Sequence, residues 1–453
     1  MSIQASDKTK QPDGRTTMQL GAVLPRTAEV RGSDLYVGGV NMVELAAREG
    51  TPLYVFDEAD LRSRMREYAD SLRACQPNAV AIYASKAFIN KEMVRIVNEE
   101  GLSLDVSGGG ELATALSVGF PPERIYVHGN NKTPRELREA IAAGVGRIVV
   151  DSRIELARIS EIAQELGVVQ KVYMRITPGV EAEAHEYVRT GCEDSKFGFT
   201  MLDDFAFRCV ADVIAAPNVE LVGLHCHIAS MVYALHSFRE AAQVMVELMA
   251  RIRETYGLEL GELDMGGGLG IAYNAEDTDV ITPVSEFTTF LTQAVTDACA
   301  QYAFPMPRIA VEPGRSIVAN AGLTLYTVGI LKTLPHIRKY VAVDGGMSDN
   351  VRTALYHAEY EPVIANKADE PRTEIVTLCG KHCESGDVVV VDKPLQHPDL
   401  GDIACVFGTG AYCYTMSSTY NGQPRPAIVF VKDGEARVVT RRETYDDLMR
   451  RDV

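Results

Sequence analysis

Lys86 is the residue whose place in the sequence first suggests chemistry. It follows a short apolar run, residues 80–85, and a helix is predicted to begin soon afterwards, near Asn90. An amine at the carboxyl end of a buried strand has a lowered pKa, which favours imine formation with a carbonyl group. Taken alone, Lys86 is better explained as an ordinary lysine that extends to solvent, so its interpretation depends on other residues.

A second group of residues is suited to binding an anion. The segment Asp264-Met-Gly-Gly-Gly-Leu-Gly270 is not a dinucleotide fingerprint, because Ile271 stands where the last glycine would be. Its three glycines, Gly266 to Gly268, allow backbone N–H groups to approach a phosphate. Gly314 and Arg315 follow the next strand, and barrels commonly bind phosphate after strands seven and eight. The alternative is a tight turn without a ligand.

Glu312 lies at the end of the predicted strand 308–313. A buried carboxylate there needs a cationic or hydrogen-bonding partner. Arg315 could be that partner. A protonated pyridine nitrogen is the other option, since a carboxylate there strengthens the ring as an electron acceptor. His225 and His227 face the same side of one strand, but no third metal ligand stands at compatible spacing. We therefore predict no metal, with one ring stacked on a planar cofactor and the other in the core.

Eight strand-then-helix units position these residues. They predict an α/β chain with a closed (β/α)8 barrel, whose functional groups lie at the carboxyl ends of the strands. A doubly wound open sheet is the competing fold. The predicted strands are 80–85, 102–107, 125–129, 147–151, 171–176, 221–228, 262–267 and 308–313. Their ends carry Lys86, Asp105, His128, Asp151, Arg175, His227, the glycine loop and Glu312.

After residue 320, strands alternate with turn residues, and Lys432-Asp-Gly-Glu435 predicts a hairpin. The sequence therefore predicts an all-β domain over 317–453 and a barrel over 55–316. A strand around Leu35–Val37 is expected to pair into the β-domain, which then includes 31–54. Residues 1–30 are polar and are predicted to form a loose tail.

Composition excludes several kinds of partner. The net charge of −17 disfavours nucleic acid as a partner. The sequence contains no run of 18 apolar residues, so no membrane span is predicted. The first residues lack the apolar region of a signal peptide, and nine cysteines without small-domain spacing predict thiols in a reducing cytoplasm.

From about Gly32 to its C-terminus, the chain resembles the diaminopimelate decarboxylases, a family of fold type III pyridoxal-phosphate enzymes. The motifs that carry the resemblance are Tyr83-Ala-Ser-Lys-Ala87, Asp105-Val-Ser-Gly-Gly-Gly-Glu111, His128-Gly-Asn-Asn-Lys132, Ser195-Lys-Phe-Gly-Phe199, Glu312-Pro-Gly-Arg315, Cys383-Glu-Ser-Gly-Asp387 and Gly410-Ala-Tyr412. The chain departs from the family at His227-Ile-Ala-Ser-Met231, where Ala229 and Met231 replace a glycine and a glutamine. It departs again at Lys381, Thr419 and Gln423.

The resemblance implies a cofactor, pyridoxal 5'-phosphate, and a role for each site residue. Lys86 would carry the cofactor and Cys383 would donate a proton. The implied cofactor-binding residues are Lys86, Asp105, His227, Ser230, Gly266, Gly267, Gly268, Glu312, Gly314, Arg315 and Tyr412. The implied substrate-binding residues are Arg315, Arg352, Tyr356, Glu384 and Tyr412. In the family, the Cys-Glu segment reaches the active site of the other subunit of a homodimer.

The substrate residues also have a physical reading. Arg315 and Arg352 can grip a distal carboxylate bidentately, and Glu384 can accept a distal ammonium. We therefore expect decarboxylation of meso-2,6-diaminopimelate to L-lysine and carbon dioxide, the last step of lysine biosynthesis. The alternatives are a decarboxylase of ornithine, arginine or carboxynorspermidine, an amino-acid racemase, and a non-catalytic regulator of the same fold.

Overall fold

The computed structural model describes residues 11–180 and 195–453. Two compact units divide these residues. One contains residues 64–180, 195–270 and 282–316, and the other contains residues 11–63, 271–281 and 317–453. Residues 1–10 of the predicted tail lie outside the described residues.

The first unit is the closed parallel barrel that the sequence predicts. Its strands are Val80–Ala84, Ser103–Val106, Ile125–Val127, Arg147–Val150, Gln170–Thr177, Val219–His225, Glu262–Asp264 and Arg308–Val311. Each strand pairs in parallel with the next, and the eighth pairs with the first at Ala310 and Val80, which closes the barrel. A two-residue strand, Phe199–Thr200, adds in parallel beside the fifth strand. We refer to the eight strands below by their order in the barrel.

Helices alternate with the barrel strands. They are Lys91–Glu99, Gly109–Leu116, Pro134–Ala143, Arg153–Leu166, Phe205–Ala215, His236–Tyr256, Val284–Gln301 and Arg315–Val318, and the helix Glu58–Cys75 precedes the first strand. Short 3-10 turns lie at Ser85–Ala87, Pro122–Arg124 and Leu202–Asp204. Five buried side chains form a cluster inside the barrel: Ile82, Tyr126, Val149, Tyr173 and Ala310. The barrel interior is therefore packed, and polar chemistry is left to the ends of the strands.

The second unit is built on a mixed nine-stranded sheet. Its strands are Leu53–Asp57, Gly322–Leu334, Arg338–Val343, Pro362–Ile364, Glu374–Cys379, Val388–Leu395, Ile403–Phe407, Ala427–Lys432 and Glu435–Thr440. The predicted hairpin forms, with Lys432 opposite Glu435. The helices Met42–Glu49, Arg352–Tyr356 and Tyr445–Met449 and the 3-10 helices Thr17–Val23, Ala275–Asp279, Ala365–Lys367, Tyr414–Met416 and Tyr420–Gly422 complete the unit.

The prediction for the early strand was wrong in one respect. Asp34–Val37 pairs only within a separate three-stranded antiparallel sheet, with Glu29–Arg31 and Val40–Asn41. The N-terminal strand of the large sheet is Leu53–Asp57, which lies between Gly322–Leu334 and Ala427–Lys432. All five of its residues are buried, as expected for a central strand.

The described part of the predicted loose tail is also packed. The 3-10 helix Thr17–Val23 buries Leu20 and Val23 completely in the core of the second unit. Asp13 pairs with Arg372, whose side chain is 1% exposed and also bonds Glu361 at 2.5 Å. The polar composition of this segment gave no sign of its two buried apolar residues or of its ion pair with a buried arginine.

Residues 271–281, predicted to lie in the barrel, belong instead to the second unit. The Asn320 amide donates to the carbonyl of Ala272 at 2.7 Å, and Lys393 donates to Asn274. These bonds join segments that are far apart in sequence, so the local pattern gave no sign of them.

Candidate active site

A short turn after the first barrel strand carries Lys86. The strand Val80–Ala84 passes into the 3-10 turn Ser85–Ala87, and the buried Tyr83 hydroxyl donates to the carbonyl of Phe88 at 2.7 Å. This bond holds the turn against the strand end. Both neighbours of Lys86 in the turn are buried, whereas Lys86 itself is exposed. The expectation of a buried amine was therefore wrong, because the turn carries the side chain past the end of the strand.

Glu312 is the central buried carboxylate of the barrel end. It is 5% exposed, its Oε1 lies 2.7 Å from Nε2 of His128, and its Oε2 lies 3.3 Å from Nε2 of His225. Burial alone would raise its pKa, but the two imidazoles hold the pKa of Glu312 well below its usual value. Burial lowers the pKa of His225 to about 4, so this ring is neutral near pH 7. Glu312 thus keeps a negative charge that a cationic group can use.

Two further carboxyl groups, Asp264 and Asp105, are fully buried at the same end of the barrel. Asp264 Oδ1 accepts the N–H of Gly266 at 2.9 Å. Burial and the charge of Glu312 raise the pKa of Asp264 well above its usual value, so Asp264 keeps its proton to a higher pH than Glu312 does. Burial also raises the pKa of Asp105, against the opposing charges of His128 and Lys86.

The glycine loop after the seventh strand is packed against main chain on both sides. A Cβ on Gly266 would lie 2.5 Å from the carbonyl oxygen of Cys226, and one on Gly267 would lie 3.0 Å from the carbonyl carbon of Glu312 and closer still to its oxygen. Gly266 and Gly268 have positive φ, 68° and 118°. The glycines are thus required by the close approach of the sixth and eighth strand ends. The N–H of Gly266 donates to Asp264 and that of Gly267 to His227, so these two bonds also hold the loop in place.

The loop after the sixth strand is tied to this glycine loop. His227 Nδ1 accepts the N–H of Gly267 at 3.2 Å, which fixes the half-buried imidazole beside the loop. Val232 donates to the carbonyl of Gly268 at 2.8 Å and accepts from Gly270 at 2.9 Å. Ser230 lies between these anchors. These two main-chain bonds do not depend on the side chains of Ala229 and Met231, and Met231 itself has a positive φ of 61°.

Gly314 brings the eighth strand end against the first. A Cβ there would lie 2.9 Å from Cβ of Ala84, and Ala84 donates to the carbonyl of Pro313 at 3.1 Å. Arg315, 9% exposed, begins the short helix that follows. The segment of Glu312 and the turn of Lys86 are therefore adjacent.

In the second unit, Arg352 lies among aromatic rings. It is 7% exposed, and its Nη1 lies 3.4 Å from both the Tyr273 hydroxyl and the carbonyl of Ala411. The guanidinium carbon is 5.5 Å from the ring centroid of Tyr412, 5.8 Å from that of Tyr356 and 6.0 Å from that of Tyr273. Such distances allow cation–π attraction, which holds a buried cation ready for an anion. The sequence indicated Tyr356 and Tyr412 but missed Tyr273, which comes from a distant segment.

Cys383 and Glu384 are exposed on a tight loop of the same unit. The Cys383 N–H donates to Oδ1 of Asn421 at 3.0 Å, and Glu384 Oε1 accepts from Gly386 at 3.2 Å. Asp387 closes the loop by accepting the N–H of His382 at 2.8 Å. The loop is therefore rigid in its backbone and open to solvent at its thiol and carboxylate.

Sequence reasoning missed the grouping of His128 and His225 around Glu312. Their ligand atoms lie within 4.8 Å of one another, so Glu312 is the third potential metal ligand that spacing did not reveal. Each comes from a different strand, and only closure of the barrel brings them together. Among the described residues, no helix is long and apolar enough to cross a membrane.

Comparison with known proteins identifies the family. A family model described as "Pyridoxal-dependent decarboxylase, pyridoxal binding domain" matches residues 58–319. The diaminopimelate decarboxylase of Bacillus subtilis is 45% identical over 92% of this chain and 95% of its own length. That of Mycobacterium tuberculosis is 45% identical over 91% of this chain and 93% of its own length.

Solved structures agree with these relatives. The diaminopimelate decarboxylase of M. jannaschii in complex with L-lysine has a TM-score of 0.87 at 32% identity, covering 95% of this chain and 98% of its own. A lysine/ornithine decarboxylase from Vibrio vulnificus, at 21% identity and a TM-score of 0.71, covers 86% of this chain and 98% of its own and shares the fold. The chain belongs to the diaminopimelate decarboxylase family of pyridoxal-dependent decarboxylases.

Proposed function

We propose that this chain removes one carboxylate from meso-2,6-diaminopimelate and releases L-lysine and carbon dioxide. It is a carboxy-lyase that uses pyridoxal 5'-phosphate. The observation that carries the proposal is Glu312, a buried and ionised carboxylate beside the turn that presents Lys86. A fixed negative charge of this kind suits a protonated ring nitrogen and has no evident use in a barrel that is only a scaffold.

The barrel residues fit the cofactor. Lys86 supplies an accessible amine, Glu312 supplies a charge for the ring nitrogen, and the glycine loop supplies main chain that no side chain covers. The phosphate would be held by Ser230, Gly266, Gly267, Gly268, Gly314 and Arg315, with His227 covering the ring and Asp105 and Tyr412 in further contact. When bound, pyridoxal phosphate supplies an electron sink for the bond to the departing carboxylate.

The chain's own residues then select the substrate and move the proton. Arg352 and Arg315 bind carboxylate, with Tyr356 and Tyr412 beside it, because a guanidinium holds both oxygens at once. Glu384 accepts the distal ammonium. Cys383 donates its thiol proton to the substrate Cα, a step that typically contributes about 10²–10⁴-fold to the rate.

We also propose a homodimer in which Cys383 and Glu384 of one subunit serve the other. Exposure of both side chains supports this assignment, since each is accessible to a second molecule. Mixing inactive Lys86→Ala and Cys383→Ala subunits should restore roughly one quarter of wild-type activity, the share expected for random pairing. Continued inactivity of the mixture, with exchange verified, would contradict shared sites.

Lys86→Ala tests the catalytic proposal. We expect loss of the visible absorbance of the bound cofactor and of nearly all lysine formation from meso-diaminopimelate. Lys91→Ala, which changes an exposed lysine of the next helix, should keep both. Borohydride reduction of the wild type should label the peptide that contains Lys86. Wild-type turnover in Lys86→Ala would refute the proposal, and equal rates with ornithine, which lacks a distal carboxylate, would refute the substrate assignment.

A further inference from the structure

We infer that His382 is a positioning residue for Cys383, through its bond to Asp387 and its stacking on Tyr420. The inference rests on the proposed role of Cys383 as proton donor. It concerns a residue that neither the barrel chemistry nor the substrate contacts use.

The His382 side chain is wholly buried although it stands next to an exposed cysteine. Its Nδ1 lies 2.9 Å from Oδ2 of Asp387, so the ring donates there. The same carboxylate accepts two main-chain N–H groups, that of His382 at 2.8 Å and that of Met347 at 2.6 Å. Asp387 thus joins the side chain and the backbone of His382 to a second loop.

Two glycines, Gly346 and Gly380, leave room for the Asp387 carboxylate. A Cβ on Gly346 would lie 2.7 Å from the His382 ring and would also meet Asp387, and a Cβ on Gly380 would lie 2.5 Å from Asp387 Oδ1. Two glycines therefore flank one hydrogen-bonded pair of side chains. An arrangement that excludes side chains on both sides restricts the ring to one place.

Residues 420 and 421 hold His382 and Cys383 through a separate set of contacts. The Tyr420 ring stacks on the His382 ring, with centroids 5.7 Å apart and planes 6° apart. The next residue, Asn421, accepts the Cys383 N–H at 3.0 Å. Consecutive residues of one loop thus hold the consecutive residues His382 and Cys383, so ring and thiol-bearing backbone are fixed together.

This rigidity has a chemical consequence. During turnover the S–H bond of Cys383 breaks as a C–H bond forms at the substrate Cα, and the exposed thiolate regains a proton from water. Transfer of a proton depends steeply on donor position, and a misplacement of about 1 Å can cost on the order of 100-fold in rate. A cysteine on a loop needs an anchor, and His382 is the buried side chain nearest to it in sequence.

The test is a double-mutant cycle on the holoenzyme. His382→Leu should lower kcat about tenfold or more with KM nearly unchanged, and it should increase the solvent deuterium isotope effect on kcat because proton transfer becomes limiting. In a Cys383→Ala background it should have almost no further effect, since the donor it positions is gone. His397→Leu, which breaks an exposed histidine–carboxylate pair of the same unit, is the matched control and should leave kcat unchanged.

A second pair of variants guards against misfolding. Tyr420 is 41% exposed, so Tyr420→Ala should fold and should also lower kcat, whereas Tyr420→Phe retains the stacked ring and should not. The inference would be overturned if His382→Leu lowered kcat by the same factor in the wild type and in Cys383→Ala, or if it left the solvent deuterium isotope effect unchanged. Full activity of Cys383→Ala alone would instead refute the proposed proton donor, so the two failures are distinguishable.

Discussion

Alanine at position 267 should force two barrel strand ends apart. The added Cβ would lie 3.0 Å from the carbonyl carbon of Glu312, whereas carbon atoms pack at about 3.5–4.0 Å. The conflict is with main chain, so a side-chain rotation cannot relieve it. Overpacking of this kind costs about 1–3 kcal/mol. For a barrel of roughly 240 residues, this lowers Tm by roughly 2–12 °C.

The assay is thermal unfolding of Gly267→Ala with and without cofactor, together with cofactor content from visible absorbance. Gly261→Ala is the matched control, because a Cβ at Gly261, just before the same strand, meets no atom within 4 Å. We expect Gly267→Ala to lose stability in both forms and to bind less cofactor, because Glu312 shifts with its main chain.

Two results would refute this reasoning. A wild-type Tm of Gly267→Ala in both forms would show that the strand ends can move apart without loss of stability. A loss confined to the cofactor-loaded form would show that Gly267 serves cofactor approach alone, without a part in strand packing.

Three other changes follow from the structure. Burial and the charge of Glu312 raise the folded-state pKa of Asp264 above its unfolded value, so its contribution to stability falls as pH rises above about 4, by up to about 1.4 kcal/mol per unit. Asp264→Asn should therefore reduce the pH dependence of denaturant-measured stability above that pH, and an unchanged slope would contradict the raised pKa. Arg352→Gln should raise KM for diaminopimelate roughly 10- to 150-fold, which is the value of one charge-assisted hydrogen bond, and Arg352→Lys should not restore it. An unchanged KM in steady-state kinetics would exclude a role of Arg352 in binding the substrate carboxylate. Arg372→Met removes one of the two cations beside the buried Glu361 and should lower the free energy of unfolding in urea by about 3–5 kcal/mol. A loss below about 1 kcal/mol would show that Lys393 alone is enough to compensate the charge of Glu361.

Elements with local signals could be predicted closely from sequence. The helix Arg153–Leu166 has clear signals at both ends, because Ser152 caps its first turn and Gly167 ends it in a left-handed conformation. The strand ends were recognisable for a related reason, since short apolar runs stop at titratable or glycine residues. Parallel pairing then brings Lys86 and Glu312 to the same end of the barrel.

Long-range features could not be predicted in this way. The strand Leu53–Asp57 finds its partners only in segments that follow the barrel, and Tyr273 reaches Arg352 from a segment predicted to be barrel. The partners of Glu312 depend on how three separate strands are staggered. Each of these contacts depends on tertiary pairing or packing, to which the neighbouring sequence contributes little.

The place of Leu53–Asp57 also affects how the protein is made. This wholly buried strand leaves the ribosome about 265 residues before the strand that begins at Gly322, and at 5–20 residues per second it waits roughly 13–53 s for that partner. Its second partner, Ala427–Lys432, comes later still. The nascent chain therefore carries an unpaired hydrophobic edge throughout synthesis of the barrel. Chaperone supply and translation speed should consequently limit the yield of this protein more than the stability of its finished fold.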